Sequence, residues 1–230
     1  MDKLNNFYDS SVGKKILMSA TGIFLCVFLI EHLMGNMLLF VGEEVYDTYS
    51  EFLAHNVYLF IIMRTIEIGL FVSMFLHAYL GINLYFKNKA TRPQKYEMKK
   101  APEGTLLASR VTMITGTIVL LFLIIHLKSF FYPTRFTSEK LSPYQLVAEA
   151  FANPAYSIFY IVALVFLGYH LRHGFQSAFQ TLGLRTKSYI KLLDAIAVFF
   201  WLVIPLGFAT MPIYFLWFHK ASNIVSTVVK

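Results

Sequence analysis

Five long apolar runs, each broken by few polar positions, dominate the chain. They cover roughly Ile16–Val41, Val57–Phe86, Ser109–Tyr132, Ala155–Leu182 and Ile190–Trp217. A helix needs about 20 such residues to cross the hydrocarbon layer, so each run suffices, with length left for tilt. Gly116 and Pro205 lie inside these runs and are tolerated in spanning helices. The pattern predicts an all-α membrane protein with five transmembrane helices, one domain over residues 1–230, and the first four helices forming a bundle. The stretch between the third and fourth runs carries Pro133, Pro143 and Pro154 and is expected to hold a short surface helix near Tyr144–Phe151. The polar start, Met1 to Lys15, lacks the pattern of a cleaved leader, so the first run is expected to be a retained helix.

Composition strengthens this picture. The chain is 57% hydrophobic and 14% charged, against about 45–50% and about 25% in soluble domains. Its one cysteine, Cys26, can form no disulfide within the chain. One thiolate is also too few for an iron–sulfur cluster or a cysteine-rich zinc site.

The net charge of +7 does not point to nucleic acid, because the cations sit between the runs. Lys3, Lys14 and Lys15 precede the first run. Lys87, Lys89, Arg92, Lys95, Lys99 and Lys100 separate the second from the third, and Arg185, Lys187 and Lys191 the fourth from the fifth. The first-to-second connection has no Lys or Arg and carries Glu43, Glu44, Asp47 and Glu51, while the third-to-fourth has only Arg135 and Lys140. Cytoplasmic loops carry the Lys and Arg excess, which places the N-terminus inside and the C-terminus outside.

Four of the seven histidines fall one to a run, in the first four runs: His32, His77, His126 and His170. Ionisable groups within a membrane are costly and mark function. A single buried histidine is as readily explained by a hydrogen bond between helices, but four in four successive helices are not. At about 1.5 Å rise per residue, His32 and His126 lie roughly 25 Å from the cytoplasmic ends of their helices and His77 and His170 roughly 15 Å. They sort into two pairs at two depths, about 10 Å apart, as two stacked haems would require. Imidazole suits haem iron, and an iron with both axial positions filled carries electrons and does no ligand chemistry. Gly81 and Gly174 each follow a histidine by four residues, on the same helix face, where a missing side chain leaves room for a flat macrocycle. Small residues also serve plain helix packing. His173 could face the same site as His170. His55 and His219 lie at the outer ends of their runs.

Haem propionates need cationic or hydrogen-bonding partners. The candidates are Ser19, Arg64, Lys128 and Arg172, with Lys14, Lys15 and Arg110 near the membrane boundaries. Snorkelling to the headgroups explains the lysines equally well, but Arg64 lies deep inside its run. Glu31 and Glu67 are acids within runs. Arg64 and Glu67 are spaced as an intrahelical ion pair, and either acid could handle protons.

Several segments resemble one family. Ser19-Ala-Thr-Gly-Ile-Phe-Leu with Ile30-Glu-His-Leu33, Leu76-His-Ala-Tyr-Leu-Gly81, Ser109-Arg-Val-Thr112 with His126, and His170-Leu-Arg-His-Gly-Phe-Gln-Ser-Ala178 occur in order. Together they resemble the cytochrome b subunit of succinate:quinone oxidoreductases, of the cytochrome b558 kind with one polypeptide and two haems. The resemblance implies two b haems: a proximal one between His77 and His170 and a distal one between His32 and His126. It also implies a flavoprotein subunit and an iron–sulfur subunit on the cytoplasmic face of a bacterial inner membrane. Menaquinone would react near the distal haem, with Glu51 and nearby His55 as quinone candidates. Some members carry a glutamate two residues before the fourth-helix ligand. This chain has Gly168 there, which puts a proton path along that helix in doubt.

Two other readings stay open. A proton-coupled transporter would hold no cofactor and would ideally show an internal repeat, and none is evident. A haem b subunit of another respiratory dehydrogenase, or of a fumarate reductase run in the opposite direction, would keep the histidines and change the partners.

Overall fold

The computed structural model describes residues 10–90, 105–137 and 141–219. Helices build all the regular structure among them: α1 (Ser11–Met37), α2 (Glu43–His55), α3 (Val57–Ala90), α4 (Thr105–His126), α5 (Tyr132–Phe136), α6 (Pro143–Ala152), α7 (Pro154–Thr181), α8 (Ile190–Val198) and α9 (Ile204–Ile213). Five continuous rods are long and apolar enough to cross a membrane: Ser11–Phe40, Tyr58–Ala90, Val111–Phe136, Pro154–Thr181 and Ile190–Phe218. All five predicted runs are thus helical, with ends within a few residues of those read from the sequence. Their outward faces carry large exposed apolar side chains such as Ile61, Phe75, Ile124 and Val165, as lipid contact requires and water would penalise.

The rods begin and end where local chemistry dictates. The Ser10 hydroxyl accepts a hydrogen bond from the Gly13 amide (2.9 Å) at the start of α1. The Asn153 side chain accepts from the amides of Ala155 and Tyr156 before α7. These bonds satisfy amides that a helix start leaves without intrahelical partners. Gly183, at φ +71°, closes α7, and the Leu184 amide donates back to the Phe179 carbonyl (2.9 Å). This is a left-handed helix stop that glycine adopts without strain.

The third and fifth rods are irregular. Leu127–Phe131 winds as a π-helix directly after His126, and Phe199–Val203 and Tyr214–His219 do so in the fifth rod. Pro205 and Pro212 lie in the fifth rod and lack the amide that a regular helix uses.

The first four rods pack around one another, and the fifth lies against α7 and α1. Gly168 sets the α7 contact: a Cβ there would lie 2.8 Å from the Trp201 carbonyl oxygen. The backbones meet at this point, so no side chain of any kind, acidic or otherwise, fits at position 168.

Two shorter helices cover one end of the bundle. The predicted surface helix near Tyr144–Phe151 is present as α6. It opens with a Ser142–Gln145 capping box, in which each side chain accepts from the other residue's amide. The acidic first-to-second connection, read above as a loop, folds as α2. Acidic residues of α2 hold α6: the Asp47 carboxylate accepts from the Tyr144 amide (2.9 Å), and Glu43 accepts from Gln145 Nε2 (2.7 Å). Carboxylates at a helix start also complement its dipole.

Candidate functional site

The four span histidines meet as two facing pairs. His32 of α1 and His126 of α4 have ring centroids 5.8 Å apart, at an interplanar angle of 89°. His77 of α3 and His170 of α7 lie 6.1 Å apart, at 81°. Two imidazole nitrogens each about 2 Å from one metal, with ring centres about 1 Å further back, would set centroids roughly 6 Å apart. Both pairs have that separation. None of the four residues is fully covered by protein atoms.

The His77–His170 pair is held by main chain. His77 Nδ1 lies 3.1 Å from the Met18 carbonyl oxygen and 3.4 Å from Thr21 Oγ1. With Nδ1–H donating to a carbonyl, Nε2 is left as the lone-pair nitrogen, the tautomer that metal ligation needs. The Thr112 backbone approaches the His170 ring in the corresponding way, although Nδ1 of His170 is buried without a hydrogen bond of good geometry.

A glycine seats each of these two rings. A Cβ on Gly22 would lie 3.1 Å from His77 Cε1 and 3.4 Å from its Nδ1, and a Cβ on Gly116 would lie 3.2 and 3.4 Å from the same atoms of His170. By contrast, a Cβ on Gly81 or Gly174 would meet nothing within 4 Å. The space beside those two glycines, one helical turn from His77 and His170, is open.

This correspondence uncovers a repeat that the sequence reading missed. Thr21-Gly22 and Phe28-Leu-Ile-Glu-His-Leu33 recur as Thr115-Gly116 and Phe122-Leu-Ile-Ile-His-Leu127, in register throughout. Val72, His77 and Gly81 recur as Val165, His170 and Gly174. The first two spans are therefore related to the third and fourth. The repeat is parallel in the order of its elements, and each facing histidine pair consists of residues at equivalent positions of the two copies. The earlier expectation of no repeat is corrected.

The His32–His126 pair is held differently. His126 Nδ1 lies 3.2 Å from the Tyr160 hydroxyl, which accepts from Tyr156 (3.0 Å). On the other side, Asn36 Nδ2 lies 3.4 Å from His32 Nδ1 and donates to the His32 carbonyl (2.7 Å). Phe28 stacks on His32 at 5.1 Å, and Phe208 of the fifth rod reaches it at 5.4 Å. Phe122 and Phe130 flank His126. Sequence reading named none of these neighbours: Phe28, Asn36, Phe122 and Phe130 lie one turn from a histidine on its own rod, and Tyr160 and Phe208 come from other rods.

The remaining candidates are placed as follows. Arg64 pairs with Glu67 at 2.7 Å, and Arg135 reaches the same carboxylate oxygen at 3.5 Å. This is an inter-helical cluster with one excess positive charge, where an isolated intrahelical pair was the simpler expectation. Ser19 is buried. The Arg172 guanidinium lies over the Trp201 ring at 5.3 Å, on the side of the fifth rod. Lys128 is exposed. Glu51 is exposed on α2, and His55 ends that helix with its side chain outside the described residues, as is that of Arg110. His173 lies close enough to influence the charge on His170 but is not part of either facing pair.

Among the described residues, no three or more His, Cys, Asp or Glu side chains converge on one point. Two imidazoles alone are too few donors for a zinc site, whereas a porphyrin brings four nitrogens and needs only two more. The donor set therefore fits a bis-imidazole haem better than a bare ion. No family model, curated protein or solved structure matches the chain. What fold and geometry define is an all-helical protein with five helices long and apolar enough to cross a membrane, whose first four bring four histidines together as two facing pairs.

Proposed function

We propose that this chain is a dihaem cytochrome b, the membrane subunit that passes electrons from an iron–sulfur partner to menaquinone in a succinate:quinone oxidoreductase. The observation that carries the reading is the pair of ring separations, 5.8 and 6.1 Å, each sized for one metal between two imidazoles. The open space beside Gly81 and Gly174 supports it at the His77–His170 pair, where a macrocycle would need such room. His77 and His170 would hold one haem b and His32 and His126 the other. When bound, haem supplies reversible one-electron chemistry.

The residues of the chain do the rest. The Met18 carbonyl orients His77 and Tyr160 orients His126, so that each presents Nε2. The Arg64–Glu67–Arg135 cluster carries one surplus positive charge, suited to a propionate of the outer haem. Phe28, Phe122, Phe130 and Phe208 exclude water around the outer pair. Lys87 and Lys89, with the further lysines of that connection, mark the face where the flavoprotein and iron–sulfur subunits would dock, cytoplasmic by the charge rule. Electrons moving between the two levels would cross much of the membrane potential, at about 2.3 kcal/mol per charge per 100 mV.

The transporter reading gains little from the repeat. Parallel repeats do occur in transporters, but placing two equivalent imidazoles face to face favours one object shared between them. Purification of the tagged chain from its native membrane tests the proposal. A flavoprotein and an iron–sulfur protein should copurify, and succinate should reduce the bound chromophore. Copurification with a different dehydrogenase, and no response to succinate, would reassign the partners.

A further inference from the structure

We propose that Glu31 on α1 and Tyr49 on α2 form a lipid-accessible binding site for the ring carbonyl of a quinone. This inference deepens the function proposed above and takes its ligand class from it, but its location rests on separate observations.

Glu31 is exposed within an apolar span, one residue before His32. A carboxyl group in that position is costly and needs a reason. The repeat supplies an internal control: the equivalent position in the second half is Ile125. The fold accepts an aliphatic side chain there, so the acid is not needed to build the helix.

Glu31 is also not isolated. Its side chain is hydrogen-bonded to Tyr49, and Tyr49 lies directly on Gly35. A Cβ at position 35 would stand 3.2 Å from the Tyr49 hydroxyl oxygen and from its ring edge. The phenol is thereby clamped about one turn beyond His32. Burial, and then the neighbouring Glu31 charge, push the Tyr49 phenol above its ordinary pKa, so it stays a hydrogen-bond donor at any physiological pH.

Beside this pair runs an open groove of about 420 Å³ lined by Glu44, Val45, Thr48, Tyr49 and Phe52. Val45 and Phe52 are exposed. The site thus offers a phenol donor, a carboxyl group bonded to it, and a groove with exposed apolar side chains. A neutral planar molecule with carbonyl oxygens and an apolar tail fits that chemistry. A phospholipid has the tail, but Glu31 and Glu44 oppose its phosphate. Glu51, two residues beyond Tyr49, lies on a different face of α2.

The test uses the full chain in phosphatidylcholine nanodiscs with a photoreactive azido-naphthoquinone, and peptides are mapped after illumination. Label should fall on the peptides containing Glu31 or residues 44–52. Unlabelled naphthoquinone should compete it away, and added phospholipid should not. Loss of one hydrogen bond is worth about 1 kcal/mol, so Y49F should lower labelling about fivefold. E31I, which copies the second half of the repeat, should do at least as much while leaving the optical spectrum and melting temperature unchanged. Labelling that both variants leave intact, that phospholipid displaces, or that maps to Glu51 and His55 instead would overturn the proposal. The haem reading fails independently, by the absence of a low-spin b-type spectrum whatever the label does.

Discussion

On the dihaem reading, replacing His77 with alanine should halve the haem content of the purified protein and leave the remaining haem with the spectrum of the His32–His126 site. The expectation follows from the way each ring is held. His77 faces only His170 across the inner level, and His32 faces only His126 across the outer one. A haem that loses one of two axial imidazoles loses half of its protein-to-iron bonding. Among the described residues no other histidine forms a facing pair with His170 that would replace His77. His32→Ala should give the complementary result, with the inner haem retained. Haem per chain, measured as the pyridine haemochrome against protein concentration, reads both. Loss of both haems from either variant, in a protein that still melts cooperatively, would mean that the two levels are not separate sites.

The second large effect concerns residues that touch no cofactor. Valine at position 22 should eliminate the inner haem, and valine at position 116 should do the same to the same degree. A Cβ at either position already crowds the facing imidazole at 3.1–3.2 Å, and valine adds two methyl groups. His77 cannot retreat without leaving the Met18 carbonyl. Overpacking of this kind costs about 1–3 kcal/mol, and here the ring that must move is the one that would ligate. Alanine at either position should be milder and shift the inner haem's potential or spectrum without removing it. The equality of the two valine variants is the sharper part, since it is a consequence of the repeat and not of either helix alone. Loss of the outer haem in either variant, or a strong effect at 22 with none at 116, would refute the seating argument. The reduced-minus-oxidised spectrum of each variant provides the measurement.

Much of the architecture was legible in the residues because the bilayer imposes a single length scale. Five runs of sufficient apolar length became five rods, and the depth of each histidine followed from a constant rise per residue. That arithmetic put His32 level with His126 and His77 level with His170, and the rings do meet in those pairs. Other features depend on tertiary contact and left weaker traces. The polar connection Glu43–His55 has no long apolar face, yet it folds as α2 because Asp47 and Glu43 fasten it to α6. Arg135 lies far in sequence from Arg64, so its share in the Glu67 cluster emerged only once α3 and α5 were placed. Gly22 and Gly116 read as ordinary small residues until the rings they face were known. Tyr49 could not be singled out, since nothing in the acidic connection shows that it folds back onto Gly35. The repeat was present in the letters throughout, in Phe28-Leu-Ile-Glu-His-Leu33 and Phe122-Leu-Ile-Ile-His-Leu127. It was passed over because the histidines were compared by depth and not by their neighbours.

The proposal that these pairs hold haem is tested most directly by the optical spectrum of the purified wild-type chain, oxidised and then reduced with dithionite, together with the haem-to-protein ratio. The account predicts low-spin, six-coordinate b-type haem at two per chain, with no change on adding carbon monoxide because neither iron has an open position. A colourless protein, or one whose haem binds carbon monoxide readily, would contradict it.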